Sequence, residues 1–220
     1  MSHLSQNSGA PARAHPACLS SILLASVLTF AVPAAQRLVG RLAGPSPDRG
    51  WIGSLAVILC VCLWYGKARA SSFLPRSPFW RVLVYLGGMV IVALLAVNIW
   101  DKPVAKITGQ ARSPFEVIDV IVLVPLAEEL IFRGLLWSLL ESIPGRGSIA
   151  ALAATSLLFG VEHFGYWAQA GWPLPPEAVL HALSMVGAGL CFGAFRWKSR
   201  SLAVPAAIHM LANGAILLTQ

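Results

Sequence analysis

Apolar runs about as long as a bilayer is thick recur along the whole chain, and they limit its fold more than any other feature. They cover residues 17–35, 51–65, 82–99, 117–140, 148–165, 178–195 and 202–218. A helix needs about 20 mostly apolar residues to cross the hydrocarbon core. In lipid, every backbone N–H and C=O must find an internal partner, so a spanning segment is a helix or part of a closed barrel. None of these runs alternates apolar and polar residues as barrel strands do. The expected fold class is therefore all-α, a polytopic transmembrane helix bundle of about seven spans. No fixed-period repeat is present, which excludes a solenoid.

Two of the runs carry competing readings. Run 51–65 is short and leans on Trp51, Trp64 and Tyr65 as anchors at the membrane interface. Run 17–35 ends in Ala31-Val-Pro-Ala-Ala35, which resembles the small-residue cleavage site of a signal peptide. Its length favours a retained span, and cleavage would leave six. The polar residues 1–16, rich in Ser, Ala and Pro, read as a disordered tail. Residues 17–112 then form N-terminal transmembrane helices of unknown role, and 113–220 form the membrane core that carries the chemistry.

Composition agrees with this placement. Only 11% of the 220 residues are charged, against 57% hydrophobic, with a mean hydropathy of +0.72; soluble domains carry about 25% charged residues. The net charge of +7 is not a nucleic-acid signal, because Lys and Arg cluster between apolar runs and no block interleaves them with aromatics. The expected partners are the lipid bilayer and a membrane-anchored substrate, with no nucleic acid. Cys18, Cys60, Cys62 and Cys191 lack zinc-site or redox spacing and read as small packing residues. With seven spans, Lys67, Arg69, Arg76, Arg81, Arg146, Arg196, Lys198 and Arg200 share the side of the N-terminal tail. Arg37, Arg41, Arg49, Lys102, Lys106 and Arg112 share the other. The larger group favours a cytoplasmic N-terminus, and the absence of disulfide spacing fits a bacterial inner membrane.

The few ionisable groups inside the apolar runs are the informative ones. Ser113-Pro114-Phe115-Glu116 marks a helix start with a capping box and Pro at N1. A helix from there through Leu140 carries Glu128, Glu129 and Arg133 deep along its length. A carboxylate at a span centre costs about 2.5–3.5 kcal/mol on insertion scales, so two adjacent ones must be compensated or one must stay protonated. Arg133 follows Glu129 by four residues, on one face and in the favourable acid-first order. Glu128 lies about 100° round the helix. One reading pairs Glu129 with Arg133 as structure and turns Glu128 to a wet cavity as the reactive group; the other makes all three a structural ion cluster. Phe159 and His163 share a face one turn apart, as do His209 and Asn213. A lone buried His is usually a satisfied core residue, but two on separate spans beside a carboxylate pair form a constellation that bundle interiors use for sites. Glu162 and His181 lie near run ends and read as interface residues.

Glu128-Glu129-Leu-Ile-Phe-Arg133, Phe159-Gly-Val-Glu-His163 and His209-Met-Leu-Ala-Asn213 match E-E-x-x-x-R, F-x-x-x-H and H-x-x-x-N in order. This series resembles the CPBP (CAAX protease and bacteriocin-processing, Abi) family of intramembrane proteases. The stretch from Gly189 through Trp197, followed by Ser201 to His209, is similar to the segment before that family's last motif, and the resemblance covers about residues 117–219. It implies hydrolysis of a peptide bond at or within the membrane, with the active site inside the bundle. Glu128 would be the base that activates water, His163 would help hold that water, and His209 and Asn213 would stabilise the oxyanion. Glu129, Arg133 and Phe159 would support them. The chemistry is coherent, since a positioned carboxylate takes and returns a proton and donors fixed in a dry site stabilise a developing oxyanion.

Family members have been described both as metalloproteases and as glutamate proteases. Glu128, His163 and His209 are also a ligand set of the kind catalytic zinc uses, so zinc stays open, while Asn213 beside His209 favours the metal-free form. The chain has no G-x-S-x-G and no H-E-x-x-H. A proton-coupled transporter would use the same charges as a relay, but no pair of Gly/Pro-broken helices recurs in two halves. A non-catalytic membrane scaffold is the other alternative. The substrate classes implied are prenylated C-terminal peptides, bacteriocin-type leader peptides and membrane-anchored proteins.

Overall fold

Each apolar run from residue 51 onward forms a helix; the first five are longer at their ends than the run, and the last, 203–219, is shifted by one residue. The structure, a computed structural model, describes residues 50–69, 73–100, 113–143, 147–168 and 173–219. The expected tail 1–16, the run 17–35, Cys18 and the side chains of Trp51, Trp64 and Tyr65 lie outside what is described. Helix α1 is Gly50–Arg69 and α2 is Pro78–Trp100. Helix α3 is a composite over 114–141, in which α-helical and π-helical turns alternate. Helices α4 (Gly147–Ala168), α5 (Pro176–Ser199) and α6 (Ala203–Thr219) complete an all-helical set with no strand among the described residues.

Among the described residues three helices are long and apolar enough to cross a membrane, over Pro78–Ala96, Gly147–Phe164 and Pro176–Ser199. The apolar stretches Ile52–Leu63 and Ala203–Leu217 are shorter, and α3 is interrupted by its charges and its π-turns. The outward face of α2 carries Val82, Tyr85, Met89 and Val92, all more than half exposed. Such a face has no partner in water and a natural one in acyl chains. Cys60, Cys62 and Cys191 are free and exposed; they lie on outward faces rather than packing inside, as expected above.

The core is built on α3. Residues 127–138 are buried all round. Ala127, Leu130, Ile131, Phe132 and Trp137 pack with Val57 and Val61 of α1, Phe159 of α4 and Phe192 of α5. A second cluster joins Ile91 of α2 to Val117 and Ile121 of α3 and Leu217 of α6. Helices α4 and α5 pack closely along their length because small residues line the seam. A Cβ on Gly160 would collide with Val186 Cγ2 and stand 2.7 Å from the Ala182 carbonyl oxygen, and one on Gly189 would stand 3.0 Å from Ser156 Cα.

The connections meet in an ordered way. Arg200, in the left-handed region at φ 52°, ends α5 and donates its N–H to Arg196 O at 2.9 Å. Ser201 Oγ and Ala203 N then both donate to Phe73 O, at 2.7 and 3.0 Å. The segments before α2 and before α6 are thereby stapled on one side of the bundle.

Candidate active site

The start of α3 follows its capping box: Ser113 Oγ accepts from Glu116 N and Glu116 Oε2 accepts from Ser113 N. Ahead lies Pro125, which has no N–H and would crowd the preceding turn of a regular helix. The chain widens over Asp119–Leu123 into a π-turn, one of the usual ways to absorb such a residue. Val124 N donates to Asp119 O, and Pro125 has no N–H to give, so Val120 O needs another donor. Asn213 Nδ2 of α6 supplies it at 2.9 Å. A second π-turn, Leu130–Leu136, repeats the pattern. Trp137 N reaches Phe132 O and Gly134 O, and Arg133 O instead accepts from Arg196 Nε of α5 at 3.2 Å. Each widened turn thus exposes a carbonyl that a later helix caps.

Between the π-turns stand Glu128 and Glu129, both buried. Glu129 Oε1 accepts from Arg133 NH1 at 3.1 Å, as the four-residue spacing predicted. It also lies 3.1 Å from His209 Nδ1. The other ring nitrogen, His209 Nε2, stands 3.6 Å from Glu128 Oε2, just beyond hydrogen-bond length. Thus the two carboxylates, read from the sequence as facing different ways, flank one imidazole from α6. Arg133 also donates from NH2 to Gly189 O at 2.9 Å. Its guanidinium lies 4.7 Å from the Phe159 ring centroid, with Phe132 and Phe192 near 5.7 Å and 5.6 Å. Such faces favour a desolvated cation.

Aromatic rings fix the imidazoles. His209 stacks on Phe192 at 4.5 Å and 20°, and Phe159 meets it edge-on at 5.8 Å. His163 packs 4.6 Å from Phe159, and its Nδ1–H donates to Phe159 O at 2.9 Å. In the neutral ring that leaves Nε2 as the acceptor. Glu128, Glu129, Arg133, Phe159, His163 and His209 are therefore gathered in one place, while Asn213 is engaged at Val120 O.

Two residues expected at the interface are drawn in. Glu162 is half-buried and close enough to Glu128 to repel it electrostatically, and the His181 ring is 5.8 Å from that of His163. Glu162 precedes His163, and that adjacency was the signal that could have found it. Phe192 and the Gly189 carbonyl were also missed as partners. Their only sequence sign was their place in the stretch before the last motif. Among the described residues no three His, Cys, Asp or Glu side chains group so as to hold a metal ion. Both nitrogens of His209 are turned to carboxylates, and Nδ1 of His163 is turned to a carbonyl.

With this geometry in hand, residues 110–215 match the model of the Rce1-like family, described as type II CAAX prenyl endopeptidase Rce1-like. Residues 110–215 belong to this family. The match spans α3 to α6, the helices that build the site. No curated protein and no solved structure matches the chain. The Rce1-like family is one of CAAX proteases acting on membrane-anchored proteins. Together with the three long apolar helices, the match points to an integral membrane protein, and the family is one of proteases.

Proposed function

We propose that the chain is an intramembrane endopeptidase of the glutamate type, with its site inside a bundle of about seven spans in a bacterial inner membrane. The observation that carries this reading is the imidazole of His209 held between two carboxylates, 3.1 Å from Glu129 and 3.6 Å from Glu128. Glu129 already accepts from Arg133 and receives Nδ1–H of His209, so Nε2 is aimed at Glu128 and the space around it. A water held by Glu128 and by Nε2 of His163 gives its proton to Glu128 as its oxygen attacks the peptide carbonyl carbon. The oxyanion accepts from Nε2–H of His209 as imidazolium, with Glu129 as counter-charge, and from the second amide hydrogen of Asn213. Collapse breaks the C–N bond, and Glu128 returns its proton to the leaving nitrogen, giving a carboxylic acid and an amine; the acid's proton then passes to the amine, and the products leave as carboxylate and ammonium.

The substrate class to test first is a prenylated C-terminal peptide, with membrane-anchored proteins and leader peptides next. Detergent-purified wild type and Glu128→Gln are assayed for cleavage with and without a strong zinc chelator. Loss of about 10²–10⁴-fold in Glu128→Gln, with no effect of chelator on wild type, supports the glutamate mechanism. Loss with chelator and recovery with zinc would make Glu128, His163 and His209 ligands. Unchanged cleavage in Glu128→Gln would remove Glu128 as the base.

A further inference from the structure

A cavity of about 640 Å³ opens between Arg76 and Ser77 before α2, the ends of α3 and α5, and the start of α4. Among the described residues four cations line it, Arg76, Arg196, Lys198 and Arg200, against one carboxylate, Glu141, which already accepts from Ser148 Oγ at 2.6 Å. No step of the proposed hydrolysis uses them. One of these cations is buried and anchored, and the exposed Arg76, Lys198 and Arg200 surround it at the mouth. Arg196 is buried and anchored by Nε to Arg133 O. Lys198 Nζ lies 5.3 Å from the Trp197 ring centroid. Arg200 sits at the left-handed turn whose continuation is stapled to Phe73 O.

The same walls contain Trp80 and the exposed Trp197, beside the core residue Trp137. Indoles gather at the level of lipid headgroups, so the cavity stands where phosphate is plentiful. Beside it, Phe79 and Val82 at the start of α2 are mostly exposed, an apolar track along which acyl chains run toward the bilayer centre. Cationic pockets between helices on the positively charged side of a membrane protein suit anionic headgroups. We propose that this cavity binds the phosphate headgroup of an anionic phospholipid. The apolar track and the indoles favour a lipid over free phosphate, which needs neither.

The test uses the full chain purified in neutral detergent, with unfolding temperature and native mass spectrometry as readouts and no cleavage assay. Phosphatidylglycerol is titrated against phosphatidylcholine and against inorganic phosphate at equal concentration. The expected result is a rise in unfolding temperature, and a retained lipid, with phosphatidylglycerol alone. Each cation near a headgroup is worth about a fivefold change in affinity, so Arg76→Gln weakens retention about fivefold and Arg76→Gln/Lys198→Gln/Arg200→Gln roughly a hundredfold. Should the triple variant not fold, the single variant decides. An equal rise with phosphatidylcholine, an equal rise with inorganic phosphate, or retention unchanged in the Arg76→Gln variant would each overturn the proposal.

Discussion

Arg133→Met separates the two readings of the ion cluster by the size of its effect on stability. Arg133 and Glu129 are wholly buried, and the guanidinium holds Glu129 Oε1, Gly189 O and the face of Phe159 together. Methionine keeps most of the apolar stem and removes the charge. Glu129 then faces only His209, and Gly189 O loses its donor. Breaking one side of a buried pair costs about 3–5 kcal/mol. The unsatisfied carbonyl, worth about 1–3 kcal/mol when isolated, is part of that figure and not added to it.

Glu129→Gln on its own leaves a buried cation and costs a similar amount. In Glu129→Gln/Arg133→Met neither charge of the pair is left buried alone: the glutamine oxygen still accepts from His209, while Gly189 O and the glutamine Nε2, at the unpartnered Oε2 position, go unpaired. The double variant should therefore cost about 1–3 kcal/mol, far less than the two singles together. Reversible unfolding of all four proteins in mixed micelles with a denaturing detergent measures the cycle. A loss under about 1 kcal/mol in Arg133→Met, or a double variant equal to the sum of the singles, would refute the reasoning.

Two other substitutions test the packing that holds the site. Asn213→Asp places an acceptor against Val120 O where a donor stood at 2.9 Å; stability should fall by about 1–3 kcal/mol in the same micelle assay, and cleavage should fall with it. A destabilised variant with undiminished cleavage per folded molecule would confine Asn213 to the helix clamp. Gly160→Ala drives a methyl into Val186 and the Ala182 carbonyl and should cost about 1–3 kcal/mol as overpacking, while an unaffected unfolding curve would show that α4 and α5 separate freely.

Much of this was legible before the structure, for physical reasons that differ by element. Helices from residue 51 onward follow from run length, and the start of α3 follows from Ser113 and Glu116, because a capping box is a local chemical pattern. The Glu129–Arg133 pair was legible because neighbours four apart meet on any helical turn. Hidden from sequence was the meeting of Glu128 and Glu129 at one imidazole. An ideal helix turns them about 100° apart, and His209 bridges that angle because its two nitrogens point in different directions from one ring. Depth was hidden too. Glu162 and His181 sit near the ends of their runs in sequence, yet their helices lean so that both face the others. Residues 1–49 stay with the sequence alone.

Pro125 had a visible sign and an invisible consequence. A proline inside an apolar helix announces a disturbed turn, but not which side chain repairs it. The repair comes from Asn213, one turn after His209 on α6, so the bond to Val120 O also fixes the rotation and height of α6. That sets where His209 meets Glu128 and Glu129. Arg196 does the same for α5 by capping Arg133 O, one residue from Phe132 and on the helix that carries Phe192 under the His209 ring. The irregularities of α3 are thus what the later helices dock onto. Both carboxylates stand at the end of the one regular segment between them, Val124–Glu129, next to the widened turns that bring α5 and α6 to fixed positions. A straight α3 would satisfy its own carbonyls, offer α5 and α6 no such purchase, and leave the imidazole free to drift from the carboxylates it must face.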